Sequence, residues 1–130
     1  MQDAVQLKIS FLGAGKMATA LAKGFLRSGM VAPERLLASD VDPAARAAFS
    51  AATGARTCVD NAEAARDADV VIVAVKPDRV AAVLTQAAPV INAQQLIVSI
   101  AAGVPLSVLE QGLCPGARVV RVMPNTPALV

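Results

Sequence analysis

The chain has 130 residues, 55% of them hydrophobic and 2% aromatic, with a net charge of +2 at neutral pH. That length supports one domain with a core of its own, and the weak, scattered positive charge gives no footing for nucleic acid or an anionic membrane surface. The longest unbroken apolar stretch, residues 70–75, stops at Lys76, far short of the about 18 residues that a membrane-spanning helix needs.

Residues 7–12 read as the first strand, which leaves no room ahead of it for a secretory signal peptide. The strand runs into Phe-Leu-Gly-Ala-Gly-Lys-Met-Ala at residues 11–18. A glycine-rich turn between a strand and a helix is suited to a pyrophosphate. Gly13 would allow the tight turn, and Gly15 would let the backbone approach phosphate without a Cβ in the way. The third small position, Ala18, would permit close helix–strand packing. Residues 15–27 form the first helix, with Met17, Leu21 and Phe25 on one face and Gly29 as its cap.

Residues 35–39 are the second strand, and Pro43 suits the first turn of a helix over 43–52. A short third strand lies at 55–57. Asn61 reads as the N-cap of a helix through Arg66. Residues 70–74, apolar on both faces, have the pattern of a central parallel strand. A helix from 78 or 79 to 88, a strand at 95–100, a short helix at 106–111 and a last strand at 118–123 follow. This alternation predicts an α/β fold: a Rossmann-like, doubly wound, mostly parallel sheet with helices on both faces, all in one dinucleotide-binding domain over 1–130.

In such a fold the working site lies beyond the carboxyl ends of the strands. After the second strand comes Ser39-Asp40-Val41-Asp42-Pro43. An acidic residue there accepts hydrogen bonds from adenosine ribose hydroxyls and repels a 2′-phosphate, whereas Ser39 and Arg46 could serve a phosphate. Asp40 or Asp42 could instead cap the next helix. After the fourth strand, Ala74-Val75-Lys76-Pro77 points Lys76 at the cofactor's ribose or phosphates, or simply at solvent. The small residues Ser99–Gly103 would let a flat nicotinamide lie against backbone. Met123-Pro124-Asn125-Thr126-Pro127 presents polar side chains on a stiff segment, suited to a ligand or to an exit toward another domain.

The chain contains neither His nor Tyr, so neutral-pH acid–base catalysis by the usual side chain is unavailable. Cys58 and Cys114 lack metal-ligand spacing and are expected as free thiols in a reducing cytoplasm.

Four segments together resemble pyrroline-5-carboxylate reductase, the last enzyme of proline biosynthesis. They are the glycine turn at 11–18, Ala-Asp-Val-Val-Ile-Val-Ala-Val-Lys-Pro at 68–77, Ser-Ile-Ala-Ala-Gly-Val at 99–104, and Arg-Val-Met-Pro-Asn-Thr-Pro-Ala-Leu-Val at 121–130. The resemblance implies hydride transfer from NAD(P)H to 1-pyrroline-5-carboxylate, giving proline. It places the run Leu12, Gly13, Ala14, Gly15, Lys16 and Met17 at the pyrophosphate, and Ser39 and Asp40 at the adenosine ribose. Asn61 falls near adenine, and Ala74, Val75, Lys76 and Pro77 fall along the cofactor phosphates and ribose. Ala101 and Ala102 lie by the nicotinamide, and Asn125 by the reacting end.

NADP(H) is the family's usual cofactor, while Asp40 leaves NAD(H) open. Lys16 stands where the family often has Asn or Gln. The resemblance also implies a helical second domain after Val130, which forms a homo-oligomer and much of the substrate pocket; without it, little turnover is expected. Two rivals stand beside this reading. One is a dinucleotide-binding module without catalysis. The other is a related reductase acting with a deazaflavin or on a hydroxyacid, against which 123–130 argues.

Overall fold

Alternating side chains sort the inner strands of this protein between two apolar layers. A computed structural model describes residues 7–122. In chain order its elements are β1 (Ile9–Leu12), α1 (Lys16–Arg27), β2 (Leu36–Ser39), α2 (Pro43–Thr53), β3 (Arg56–Cys58), α3 (Asn61–Ala65), β4 (Val70–Val73), α4 (Val80–Ala87), β5 (Leu96–Ser99), α5 (Leu106–Glu110) and β6 (Arg118–Arg121). The strands form one sheet in the order β3-β2-β1-β4-β5-β6, and every pairing is parallel. Winding outward in both directions from β1, the chain leaves a switch point between β1 and β4.

On one face Ile9, Phe11, Leu36, Ala38 and Ile72 pack with Ala18 and Ala22 of α1 and Phe49 of α2. On the other, Leu12, Val71, Val73 and Ile97 pack with Ala64 and Ala65 of α3, with Val80, Val83 and Leu84 of α4, and with Leu109 of α5. The all-parallel sheet is therefore covered on both sides, as its continuous apolar strands require. The alanines let α1 and α2 approach closely. The chain's three phenylalanines meet in one cluster. Phe11 stacks on Phe25 with ring centroids 6.2 Å apart and lies 5.9 Å from Phe49.

The expected architecture is present, with local corrections. Most strands are a residue or two shorter than expected, and β3 has the expected length one residue later, at Arg56–Cys58; β1 starts at Ile9, and Lys8 donates its N–H to the Asp69 carboxylate instead. The buried stripe of α1 is Ala18 and Ala22, whereas Met17 is 40% exposed. α1 ends in a Schellman turn, with Met30 N–H on the Phe25 carbonyl, Gly29 N–H on that of Leu26, and Gly29 at φ +79°. A 3₁₀ turn, Pro77–Arg79, precedes α4 and delays its start to Val80. Asn61 is not an N-cap: α3 is capped one residue earlier by Asp60, whose carboxylate accepts the Ala62 N–H. A charged acceptor gains more from the helix dipole than a carboxamide does. No helix among the described residues is long and apolar enough to cross a membrane.

With five residues, α3 is too short to persist alone, yet it carries Asn61 into the site described below. Its far end is tied down by Gln95, which is 4% exposed. Gln95 Nε2 donates to the carbonyls of Ala65 at 2.7 Å and Ala68 at 2.8 Å, and Oε1 accepts the Asn92 N–H at 2.9 Å. Gln95→Leu leaves all of these groups bare beneath an apolar side chain. It should cost about 2–4 kcal/mol, read as a lower urea midpoint with an unchanged slope.

Candidate functional site

The turn between β1 and α1 is closed by contacts that exclude a side chain. Gly13 sits at φ +108°, and a Cβ there would lie 2.6 Å from the Ala74 carbonyl oxygen and 2.9 Å from its carbon. Its N–H donates to the Ser39 carbonyl at 2.8 Å. The turn is thus wedged between the ends of β2 and β4. Gly15 is different. Its φ of −81° and ψ of −163° suit any residue, and a Cβ would meet nothing within 4 Å. Neither backbone strain nor packing requires glycine there. No side chain caps α1 and no acid lies in its first turn; the nearby Asp40 carboxylate is taken up by the N–H of Ala14 just ahead of the helix, which leaves the leading N–H groups of α1 without a side-chain acceptor.

Above the switch point lies a cleft of about 420 Å³. It brings together Gly13, Gly15, Ser39, Asp40, Asn61, Ala74, Val75 and Lys76, residues that are spread over four strand ends in the sequence. Asp42, weighed above as a cap of the next helix, also lines it, as do Val41, Val59, Val83 and Arg79, which no motif singled out. Val41, Asp42, Val59 and Arg79 follow the carboxyl end of a strand, which was the available signal. Carboxylates of Asp40 and Asp42 face the β2 side, while the exposed cations Lys76 and Arg79 face the β4 side.

Asp40 does not cap α2. Asp42 does so, accepting the Ala44 N–H at 2.9 Å. The Asp40 carboxylate bridges two segments instead: Oδ2 accepts the Ala14 N–H and Oδ1 the Asp42 N–H, each at 2.9 Å. It therefore holds the glycine turn against the start of α2. Ser39 lies at the cleft floor with its side chain fully buried. Its hydroxyl donates to Asn61 Oδ1 at 2.6 Å, and Asn61 Nδ2 donates to Gln86 Oε1 on α4 at 2.6 Å. The hydroxyl is committed to Asn61, so although Ser39 lines the cleft floor its donor is already used.

The remaining expected residues are placed apart from the cleft wall. Leu12 is fully buried and Ala14 is 2% exposed, so each offers only backbone. Lys16 and Met17 open α1, and Pro77 opens the 3₁₀ turn. Ala101 is buried and Ala102 exposed beyond β5, and neither lines this cleft. Arg46 does not line it either; its Nε is buried without a hydrogen-bond partner. Asn125 and the segment 123–130 lie outside the described residues. Cys58 and Cys114 are free thiols. Burial, and after it the charge of Glu63, pushes the Cys58 thiol pKa above its ordinary value, which disfavours the nucleophilic thiolate.

Residues 8–103 match the family described as NADP oxidoreductase, coenzyme F420-dependent. The chain belongs to this family. It is 47% identical over 123 residues to the pyrroline-5-carboxylate reductase of Methanosarcina acetivorans, covering 95% of this chain and 46% of that protein. Its fold superposes on a pyrroline-5-carboxylate reductase from Coxiella burnetii with a TM-score of 0.87 and 32% identity, over 95% of this chain and 46% of the other. The Plasmodium falciparum pyrroline carboxylate reductase, solved with NADP bound, gives a TM-score of 0.78 and 31% identity over 93% and 43%. The chain thus spans about half the length of the relatives it matches.

The two glycines should separate cleanly in stability. Gly13→Ala is expected to cost about 2–4 kcal/mol or to prevent folding, through its positive φ and the clash with Ala74. Gly15→Ala should fold and lower the thermal midpoint by only a few degrees, since its Cβ enters open space and the cost is the poorer N-cap propensity of alanine.

Proposed function

We propose that this chain is the cofactor-binding half of a pyrroline-5-carboxylate reductase, an oxidoreductase that converts 1-pyrroline-5-carboxylate to proline with NAD(P)H in the cytoplasm. The observation that carries the dinucleotide reading is Gly15. No protein atom fills the space a Cβ would occupy there, so with glycine at this position a ligand can come close to the backbone at the start of α1. Together with the uncapped start of α1, this forms a cradle that a Cβ would fill. The similarity to named reductases supports the choice of substrate.

In this proposal the N–H groups of Gly15, Lys16 and Met17 hold the pyrophosphate, aided by the dipole of α1. Gly13 and Ala14 shape the turn, because their N–H groups already serve Ser39 and Asp40, and Leu12 contributes backbone alone. Asn61 faces the adenosine, and Lys76 and Arg79 supply positive charge beside Ala74, Val75 and Pro77. Ala101 and Ala102 give a flat floor for the nicotinamide, and Asn125 orients the substrate. When bound, the reduced nicotinamide supplies a hydride to the C=N carbon. A protonated imine is already electrophilic, so these residues need to orient it rather than act as strong acids. A chain without His and Tyr is adequate for that. A second, helical domain would complete the imine pocket and join copies into a homo-oligomer.

NADPH is the proposed cofactor. The negative charge of Asp40 is offset by the two backbone N–H groups on its oxygens, which lessens repulsion of a 2′-phosphate, and Lys76 and Arg79 stand in the same cleft. A relative in the comparison above holds NADP.

Calorimetry of the 130-residue chain should show NADPH binding, and Gly15→Ala should weaken it at least about 10-fold while the fold persists. Absence of binding by the parent chain sinks the proposal. The chain alone should give negligible proline, with turnover appearing once the second domain is joined to it.

Asp40→Ser offers a sharper test. If Asp40 mainly holds the turn, NADPH and NADH affinities should fall together by about 3- to 10-fold, the size of a lost net hydrogen bond or two. A rise in the NADPH-to-NADH preference would assign Asp40 to repulsion instead.

A further inference from the structure

Gln86 lies on α4, outside every motif that the sequence suggests, and its side chain is the outer anchor of the Asn61 carboxamide. A primary carboxamide has two N–H donors and an oxygen with two lone pairs, and on its own it flips freely between alternatives. Here Ser39 donates to the oxygen from the cleft floor, and Gln86 Oε1 accepts one N–H from the side, both at 2.6 Å. One N–H and one lone pair remain uncommitted. The side chain that lines the cleft is thereby held in one orientation by partners that do not line it (Gln86) or that lie fully buried beneath it (Ser39).

We propose that Gln86 is a positioning residue for this cleft: it fixes which face of the Asn61 carboxamide a bound dinucleotide meets. This rests on the dinucleotide reading above. The inner anchor, Ser39, belongs to the core and cannot be removed without disturbing the floor. Gln86 is exposed, so its removal tests orientation with little structural cost.

The test uses the 130-residue chain and Gln86→Ala, Gln86→Glu, Asn61→Ala and the double variant Asn61→Ala/Gln86→Ala, each titrated with NADPH at physiological salt. Gln86→Ala should weaken binding about 3- to 10-fold, the size of one net hydrogen bond, with an unchanged thermal midpoint. Gln86→Glu, which keeps an acceptor oxygen, should recover part of the lost affinity when the salt is raised, because repulsion between its charge and the dinucleotide phosphates is then weakened. In the Asn61→Ala background Gln86→Ala should have no further effect, because coupled residues are not additive. Parent-like affinity in Gln86→Ala, or an equal loss in both backgrounds, overturns the assignment.

A second readout needs no ligand. The hydrogen-bonded Asn61 side-chain amide proton, followed by NMR in the free chain, should shift upfield and exchange faster with water in Gln86→Ala, and return toward the parent values in Gln86→Glu. If it is unmoved in both variants, Gln86 does not orient Asn61. If it responds as expected while the parent chain fails to bind NADPH, the orienting role stands and it is the dinucleotide reading that fails.

Discussion

The approach of Gly13 to the carbonyl of Ala74 is the contact on which the site depends. At 2.6 Å from that oxygen a Cβ cannot exist, so β1 can turn sharply only with glycine at this position. Because the turn is sharp, its N–H meets the Ser39 carbonyl, and α1 begins directly over the boundary of β1 and β4. That boundary is where successive crossovers diverge to opposite sides of the sheet, leaving a crevice that no helix fills. The cleft is a consequence of topology, and the glycine aims a helix start into it.

Around that turn, shaping the cleft and facing it fall to different residues. Gly13, Ala14, Ser39 and Asp40 use their hydrogen-bonding groups on one another, on the adjacent backbone or, for the Ser39 hydroxyl, on the Asn61 carboxamide. Gly15, Asn61, Lys76 and Arg79 retain capacity toward the open space. A polar group held by protein partners needs no reorganisation when a ligand arrives, which is the general route to preorganised binding. The buried Ser39 hydroxyl illustrates the point: removed from solvent, it would be costly unpaired, and its pairing with Asn61 makes the cleft wall rigid.

Much of the fold could be read from local chemistry. Val70–Val73 is apolar on both faces because helices cover both sides, and the period-2 sorting of Ile9, Phe11 and Leu12 follows from the pleat. Gly29 and Pro43 punctuate helices for conformational reasons visible in the residue type. What misled was competition between equivalent groups. Asp60 and Asn61 are both good caps, and only the register of α3, set at its far end by Gln95, decides between them. Of the stripe Met17–Leu21–Phe25, Leu21 and Phe25 pack against the core beside the fully buried Ala18 and Ala22, and only Met17, at the open start of the helix, is exposed. Asp40 and Asp42 were both candidate caps of α2, and Asp42 takes that place; the bond of Asp40 to Ala14 lies 26 residues away in sequence, where no local rule reaches. Gln86 was invisible for the same reason, since its importance is a single contact to a residue on another helix.

The same distance argument bears on how cofactor choice is encoded. A carboxylate at the end of β2 is commonly taken as a sign of a free 2′-hydroxyl, on the premise that its charge is exposed to the ribose. Here each oxygen already accepts a backbone N–H, one from each flanking segment. Hydrogen bonds to the ionised form disperse its charge into oriented peptide dipoles, and the field beyond them is weaker than that of a bare carboxylate. Two cations, Lys76 and Arg79, stand across the same cleft. The residue type at position 40 therefore carries less information about the cofactor than the partners of that residue do.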